Sequence, residues 1–294
     1  MNDKQRTANE PSRVTTPWIA DAPRPITCLT AYDYTMAALL DRAGIDIILV
    51  GDSLASIVQG KATTLPVTMD QMTYHCACVA AGVNRALVVG DMPFLSYQIS
   101  PHDAVRNAGR LVQEGGVGAV KLEGGAVVAD AIQAIVRAEI PVMGHVGLTP
   151  QSVHRMGGYR VQGKGISGDK NLRSRTGQQI VDDAIAVEKA GAFCIVVEGV
   201  PAELGSEITE ALTIPTIGIG AGNGCRGQIL VTHDMLGLST REIPKFVKPF
   251  GAVGDAVVQS VQAYISEVHS HQFPGQEHSY TKADSSRRLP YDVI

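Results

Sequence analysis

A short apolar run that stops on a carboxylate occurs four times along the chain. Ile47-Ile48-Leu49-Val50-Gly51-Asp52-Ser53 puts an acid and a hydroxyl just past its end, and Leu87-Val88-Val89-Gly90-Asp91 repeats the pattern. Ala119-Val120-Lys121-Leu122-Glu123-Gly124 and Cys194-Ile195-Val196-Val197-Glu198-Gly199 are variations on it. Runs of this kind, rich in β-branched residues, fit parallel strands buried on both faces. Acids delivered to the C-terminal ends of several parallel strands describe an active site.

The stretches between the runs supply the helices. A first candidate strand, 26–30, leads through Ala31-Tyr32-Asp33 to a helix with an apolar face of Met36, Ala37, Leu39, Leu40 and Ala43. Asp33 suits its N-cap and Gly44 its end. After the 47–50 strand, a loop through Gly60 and Thr64-Leu65-Pro66 precedes a helix from Asp70 to about Ala81. Strand 87–89 exits through Met92-Pro93-Phe94 into a helix opened by Ser100-Pro101. Strand 119–122 feeds a helix carrying Val127, Ala131, Ile132, Ile135 and Val136. Strand 141–145 leaves through the longest loop, ending near Gly168, whose length marks it as a lid or binding loop. A helix over about 177–190, strand 193–197, helix 201–212, strand 216–220, strand 228–232 and a last helix over about 255–268 complete the series.

Eight strand-plus-helix units within about 250 residues predict an α/β fold, a (β/α)8 TIM barrel. A doubly wound open sheet alternates similarly, but it would use fewer strands and carry G-x-G-x-x-G after the first. The barrel domain is placed at 25–273. Residues 1–24, with Pro11, Pro17 and Pro23, and residues 274–294 read as flexible tails.

Composition narrows the partners. Over 294 residues, 25 basic and 29 acidic side chains are interspersed for a net charge of -4, which gives no footprint for nucleic acid or an anionic membrane. No run approaches the roughly 18 apolar residues of a membrane span, and no signal peptide is evident. Five cysteines without a Cys-x-x-Cys pair do not make a disulfide framework, so a reducing, cytoplasmic compartment is expected. Small-molecule chemistry is the remaining expectation.

Asp52, Asp91 and Glu123 leave three successive strands, so a closed barrel would set them side by side. Close carboxylates raise one another's pKa unless a cation holds them, and hard oxygen donors favour Mg2+ or a similar ion. The bland alternative for each acid is a helix cap or a lysine partner. Lys121, two residues before Glu123, shares its face and has three available roles: binding a substrate carboxylate, forming a Schiff base, or neutralising the acids. Glu198, behind five apolar residues, is expected to be desolvated, which suits a general base removing a proton alpha to a carbonyl; a buried salt bridge is the alternative. His145 fits a metal ligand, a proton shuttle or a packed core histidine. Gly218-Ile219-Gly220-Ala221-Gly222 suits either a phosphate cradle or a close-packed turn. His75, Cys76 and Cys78 lie in a helix and read as core.

These residues fall in an order that resembles the ketopantoate hydroxymethyltransferase family. The resemblance runs from about 26 to 274 through Thr30-Ala31-Tyr32-Asp33, Leu49-Val50-Gly51-Asp52-Ser53, Asp91-Met92-Pro93-Phe94, Val120-Lys121-Leu122-Glu123-Gly124-Gly125, Gly144-His145-Val146-Gly147-Leu148-Thr149-Pro150-Gln151 and Pro244-Lys245-Phe246. Gly199 stands where the family pattern has Cys, and Gly90 where Ala is common. The resemblance implies a barrel of the phosphoenolpyruvate/pyruvate superfamily type. It also implies transfer of a hydroxymethyl group from 5,10-methylenetetrahydrofolate to 3-methyl-2-oxobutanoate in pantothenate synthesis. It assigns Asp52, Asp91 and Glu123 to Mg2+, Ser53 and Lys121, beside Asp52 and Asp91, to the keto acid, and Glu198 to proton removal. It further implies a homo-oligomer, in many members a decamer. A metal-dependent carbon-carbon lyase using the same enolate without folate is the rival enzyme, and a non-catalytic binding barrel is the rival outside enzymology.

Overall fold

The computed structural model describes residues 11–164, 176–282 and 284. Its centre is a closed, all-parallel barrel in which each strand pairs with the next and the eighth with the first. The strands are β1 (Ile26–Thr30), β2 (Ile47–Val50), β3 (Leu87–Asp91), β4 (Ala119–Lys121), β5 (Val142–Gly147), β6 (Cys194–Glu198), β7 (Thr216–Ile219) and β8 (Gly227–Leu230).

The helices are α1 (Thr16–Ala20), α2 (Tyr34–Ala43), α3 (Leu54–Ile57), α4 (Met69–Ala81), α5 (Pro101–Gln113), α6 (Ala129–Arg137), α7 (Val153–Met156), α8 (Gly177–Lys189), α9 (Ala202–Ala211), α10 (Thr232–Met235) and α11 (Val253–His269). Their starts follow local chemistry. Asp33 accepts the Met36 N–H at 2.9 Å, Ser100 caps α5 with Pro101 in its first turn, and Thr68 with Gln71 forms a reciprocal capping box on α4. Gly44 ends α2 at a φ of 90°, where a side chain would be strained. Among the described residues no helix is long and apolar enough to cross a membrane.

The alternation of each strand splits the core in two. Ile48, Val50, Val88, Val120, Val142, Ile195 and Val197 face outward and pack with the helices. Ile26, Cys28, Ile47, Leu49, Leu87, Val89, Ala119, Met143, Cys194, Val196, Ile217 and Ile229 fill the barrel interior.

The N-terminal segment departs from its expected role. Val14 and Ile19 are buried in the interior cluster with the barrel strands, and Trp18 packs beside them. Residues 14–22 therefore belong with the barrel, although Pro17 and two threonines give them the look of a tail. The Val14 N–H donates to the Arg85 carbonyl, and Arg24 pairs with the buried Asp46 at 2.7 Å, which fastens the segment to the barrel. Residues 1–10 and most of 274–294 of the expected tails lie outside the described residues, as do positions 165–168 of the long loop.

Candidate active site

The site is the upward continuation of the barrel's interior layers. Two residues beyond the inward Val89 stands Asp91; two beyond Ala119 stands Lys121, and two more give Glu123. Met143 leads to His145, and Val196 to Glu198, by the same step. Period-two geometry alone thus aims five functional side chains at one point. Asp52 and Ser53 join them from the turn between β2 and α3. All seven line a cavity of about 110 Å³ at the C-terminal mouth.

Asp52, Asp91 and Glu123 are buried, and each offers a carboxylate oxygen within 4.8 Å of the others. Lys121 Nζ donates to Asp91 Oδ1 at 2.7 Å and lies 3.8 Å from Glu123 Oε1. Burial together with the Asp91 and Glu123 charges pushes the Asp52 carboxyl well above its ordinary range. Asp91 is raised by burial too, although Lys121 offsets part of the effect. For Glu123 burial is outweighed by His145 and Lys121, and its pKa falls. Burial opposes the Lys121 ammonium, but the surrounding acids outweigh it and keep it charged.

His145 spans the cavity. Its Nδ1 lies 3.4 Å from Glu123 Oε1 and its Nε2 3.2 Å from Glu198 Oε2. Neither contact has hydrogen-bond alignment, so the coupling is one of charge. Burial and Lys121 oppose protonation, yet the two carboxylates lift the imidazole pKa to about 9. Glu198 retains 17% side-chain exposure at the mouth, because as the last strand residue it projects beyond the apolar layer. The full desolvation expected from the apolar run before it is therefore not found.

Three residues had no sequence signal of their role. Gln151, in the turn before α7, donates from Nε2 to Asp52 Oδ2 and to the Met92 carbonyl, both at 3.0 Å, and from its backbone N–H to Glu123 Oε2 at 3.0 Å. Tyr97 OH donates to Gln151 Oε1 at 2.7 Å. Tyr32 OH and Ser53 Oγ are 2.8 Å apart, which fixes the Ser53 hydroxyl at the rim. These residues arrive from loops and turns, where no periodicity announces a direction.

Other sequence readings resolve as follows. At Gly220 and Gly222, φ is positive and an added Cβ would meet the Phe246 ring at 2.8 Å and the Ala202 Cβ at 2.5 Å. The glycine-rich segment is thus a close-packed turn, and the phosphate-cradle alternative is not supported. Cys76 is buried in the core, and His75 Nδ1 contacts the Tyr32 carbonyl at 2.7 Å. Gly199 adopts a φ of 58° with Leu148 Cβ 3.0 Å from where its own Cβ would stand, so it is glycine for backbone reasons.

The family model for ketopantoate hydroxymethyltransferase matches residues 14–276. The chain belongs to the ketopantoate hydroxymethyltransferase family. A relative from Desulforapulum autotrophicum named 3-methyl-2-oxobutanoate hydroxymethyltransferase is 56% identical over 255 residues, which cover 87% of this chain and 92% of the relative. One of the same name from Syntrophotalea carbinolica is 55% identical over 256 residues, 87% of this chain and 93% of the relative. In fold, this hydroxymethyltransferase-family chain is similar to 2,3-dimethylmalate lyase, a phosphoenolpyruvate mutase/isocitrate lyase superfamily member, with a TM-score of 0.57 at 18% identity over 90% of this chain and 92% of that one. The (β/α)8 fold is shared with the lyase; the family match places this chain with the transferases.

Proposed function

We propose that the chain transfers a hydroxymethyl group from 5,10-methylenetetrahydrofolate to 3-methyl-2-oxobutanoate and releases 2-dehydropantoate; the names of its relatives give the keto acid and the transferred group for them. The observation that carries the residue roles is the division of one small cavity into an acidic wall from β2, β3 and β4 and a facing base, Glu198, on β6.

The acidic wall suits a divalent cation. Three buried oxygen donors converge, and their mutual repulsion, visible in the raised Asp52 and Asp91 carboxyls, is what a hard ion relieves. Asp52, Asp91 and Glu123 would hold Mg2+, which when bound polarises the 2-oxo group and acidifies the neighbouring C–H. Lys121 and Ser53, with Asp52 and Asp91 around them, receive the keto acid, Lys121 by charge and Ser53 through the hydroxyl that Tyr32 orients. Because the ammonium is held charged among acids, it serves as an electrostatic partner and not as an imine-forming amine.

Glu198 takes the C3 proton, and the released electron pair runs through the C2–C3 bond to the carbonyl oxygen. C3 then bonds to the one-carbon unit as that carbon's bonds to N5 and N10 of the folate break; water supplies the hydroxyl oxygen, the C3 proton and one proton of the water pass to the two nitrogens, and tetrahydrofolate departs. Positively charged His145, 3.2 Å from Glu198, holds the carboxylate toward the cavity and links it to Glu123. The catalytic unit is the barrel with residues 14–22. A reducing cytoplasmic setting suits five cysteines that are all free. The chain assembles as a homo-oligomer, for which the family resemblance implies the decamer of many members; α11, in which no residue is buried within the chain, supports the association and not its size.

The test is ketopantoate formation with and without Mg2+ for wild type, Glu198→Gln and Asp91→Asn. Product that requires the metal and collapses in both variants supports the roles. Carbon-carbon bond cleavage without tetrahydrofolate would instead favour the lyase chemistry, and activity surviving Glu198→Gln would move the base to another group.

A further inference from the structure

The two sides of the small cavity differ in chemistry by strand. Asp52, Asp91, Lys121, Glu123 and His145 come from β2 to β5 and the turns just beyond them, and the proposed reaction uses all five. From β6, β7, β8 and the residue after β8 come Val196, Ile219, Ile229 and Val231, and the reaction uses none of these. An apolar side facing a polar wall across one cavity suits a ligand with a charged head and a hydrocarbon end.

Barrel layering says which of these side chains lie deepest. Inward positions recur at every second residue, so Val196 sits one repeat beneath Glu198, about 6.6 Å at the rise of a parallel strand. By the same count Ile229 lies beneath Val231, and Leu49 beneath Gly51. Val196, Ile229 and Leu49 are 2%, 4% and 5% exposed and belong to the packed interior cluster, so they close the cavity from below. The layer above them has room because β2 continues into it with a glycine. A Cβ on Gly51 would stand 2.9 Å from Ser53 Oγ and 3.7 Å from Leu49 Cδ2, among the groups that face the cavity.

We propose that Val196 sets the upper size limit of the acceptor, a 2-oxo acid whose carboxylate and oxo group lie at the polar wall and whose alkyl end rests on a floor of Val196 and Ile229. The inference rests on the hydroxymethyl-transfer reading. The carbon that yields its proton to Glu198 lies beside that carboxylate, and its alkyl substituents then meet the next inward residue of the same strand. Two methyl groups on C3 cover Val196. An added methylene would have to enter a layer that is already close-packed. Val196 is thus a specificity residue, which touches the acceptor's alkyl group and takes no part in proton transfer.

Three acids that differ by single carbons read the floor: 2-oxobutanoate, 3-methyl-2-oxobutanoate and 3-methyl-2-oxopentanoate. For wild type, Val196→Ala, Val196→Ile and Ile229→Val, kcat/KM is measured for each acid with the folate donor and Mg2+. Exchange of the C3 hydrogen in heavy water is measured with Mg2+ and no folate. One methylene in an apolar pocket changes kcat/KM by about tenfold or more, so wild type is expected to prefer 3-methyl-2-oxobutanoate to the pentanoate on that scale. Val196→Ala is expected to lower this preference by about tenfold, and Val196→Ile to move preference from 3-methyl-2-oxobutanoate toward 2-oxobutanoate by a similar factor. Exchange ratios are expected to shift in the same sense, because exchange needs no donor. Ile229→Val, a mild change in a core, is expected to shift preference toward the pentanoate by a smaller factor and keeps the test open where Val196→Ala folds poorly. Preference ratios within about twofold of wild type in every variant, against that tenfold scale, overturn the size limit. Equal loss with all three acids in Val196→Ala, the mark of a structural role, also overturns it. Transfer ratios that move while exchange ratios stay put the limit at the donor and overturn it too. Wild type that makes no product and exchanges no hydrogen from any of the acids removes the hydroxymethyl-transfer reading itself, and the size limit with it.

Discussion

Lys121 Nζ lies 2.7 Å from Asp91 Oδ1, and the two residues are register partners on adjacent strands. The ammonium therefore supplies fixed positive charge to a cluster that contains three buried acids. Replacing it with Met leaves the acids' negative charge uncompensated, and breaking a buried pair costs about 3–5 kcal/mol. The metal-free variant is expected to melt on the order of 10 °C below wild type, given a few degrees per kcal/mol at this chain length. Because a divalent ion and Lys121 relieve the same repulsion, Mg2+ is expected to raise the melting temperature of Lys121→Met by more than it raises that of wild type. Equal Mg2+ shifts in a calorimetric scan would show that ion and lysine do not share the cluster's charge.

Gln151 orients two of the acids at once, Asp52 through its side chain and Glu123 through its backbone N–H. Partners of metal ligands typically change affinity by about 10–100-fold when lost. Gln151→Leu keeps the backbone donor but strips the amide from Asp52 and removes the nearer of the two acceptors of Tyr97 OH, leaving the Glu123 carbonyl at 3.1 Å. Mg2+ affinity measured by calorimetry is expected to fall by about tenfold, the low end of that range, with a smaller loss in Tyr97→Phe. Unaltered affinity in Gln151→Leu would mean that Asp52 is held in place by the strand end alone.

How far the sequence foretells this site follows from period and topology. Asp91, Lys121, Glu123, His145 and Glu198 are legible because each continues the inward face of a strand whose apolar alternation is plain. The barrel is legible because eight such runs alternate with capped helices. Gln151, Tyr97 and Tyr32 are not, since they approach from turns whose direction is set by tertiary packing. Residues 14–22 mislead for the opposite reason. Their composition is that of a linker, but Val14 and Ile19 meet an interior layer that would otherwise lack a cover. The exposure of Glu198 could not be read from its apolar neighbours, because the strand ends where the cavity begins.

At the other end of the barrel, Asp46 binds Arg24 at 2.7 and 2.8 Å, Arg85 at 3.3 Å and Thr27 through both its N–H and its hydroxyl. Burial alone would raise this carboxyl, but the Arg24 and Thr27 hydrogen bonds outweigh it and the pKa lies below the ordinary range. A carboxyl depressed on folding stabilises the protein above its unfolded pKa and loses that contribution as pH falls through the folded value. Asp46→Asn is thus expected to cost about 3 kcal/mol at pH 7, as disruption of a buried, partly solvated ion pair does. The gap between variant and wild type should begin to narrow as the pH drops below the unfolded value of about 4 and close only below the depressed folded value, where the wild-type carboxylate also becomes neutral. Urea titrations at pH 7 and at values stepped down from about pH 4 follow the window; a gap that does not narrow at all as the pH falls would assign the loss to packing and not to charge.

The α11 helix presents Val257, Val261, Tyr264, Ile265 and Val268 at spacings of four, three, one and three, which lays them along one face. These side chains are between 37% and 57% exposed, and no residue of the helix is buried. A solitary 17-residue helix is marginal in water without an apolar surface to cover it. A second copy of the chain is the expected cover, and the stripe is then continuous with the assembly proposed above. Val261→Glu combined with Ile265→Glu puts two charges on the stripe without disturbing any buried contact in the barrel. The pair is expected to lower the solution mass measured by light scattering toward that of a monomer. Far-ultraviolet dichroism of the barrel and its binding of Mg2+ should persist, because the acidic cluster and α11 share no contact in the site. A wild-type mass retained by the double variant would place the interface on another surface and leave the stripe without a self-association role.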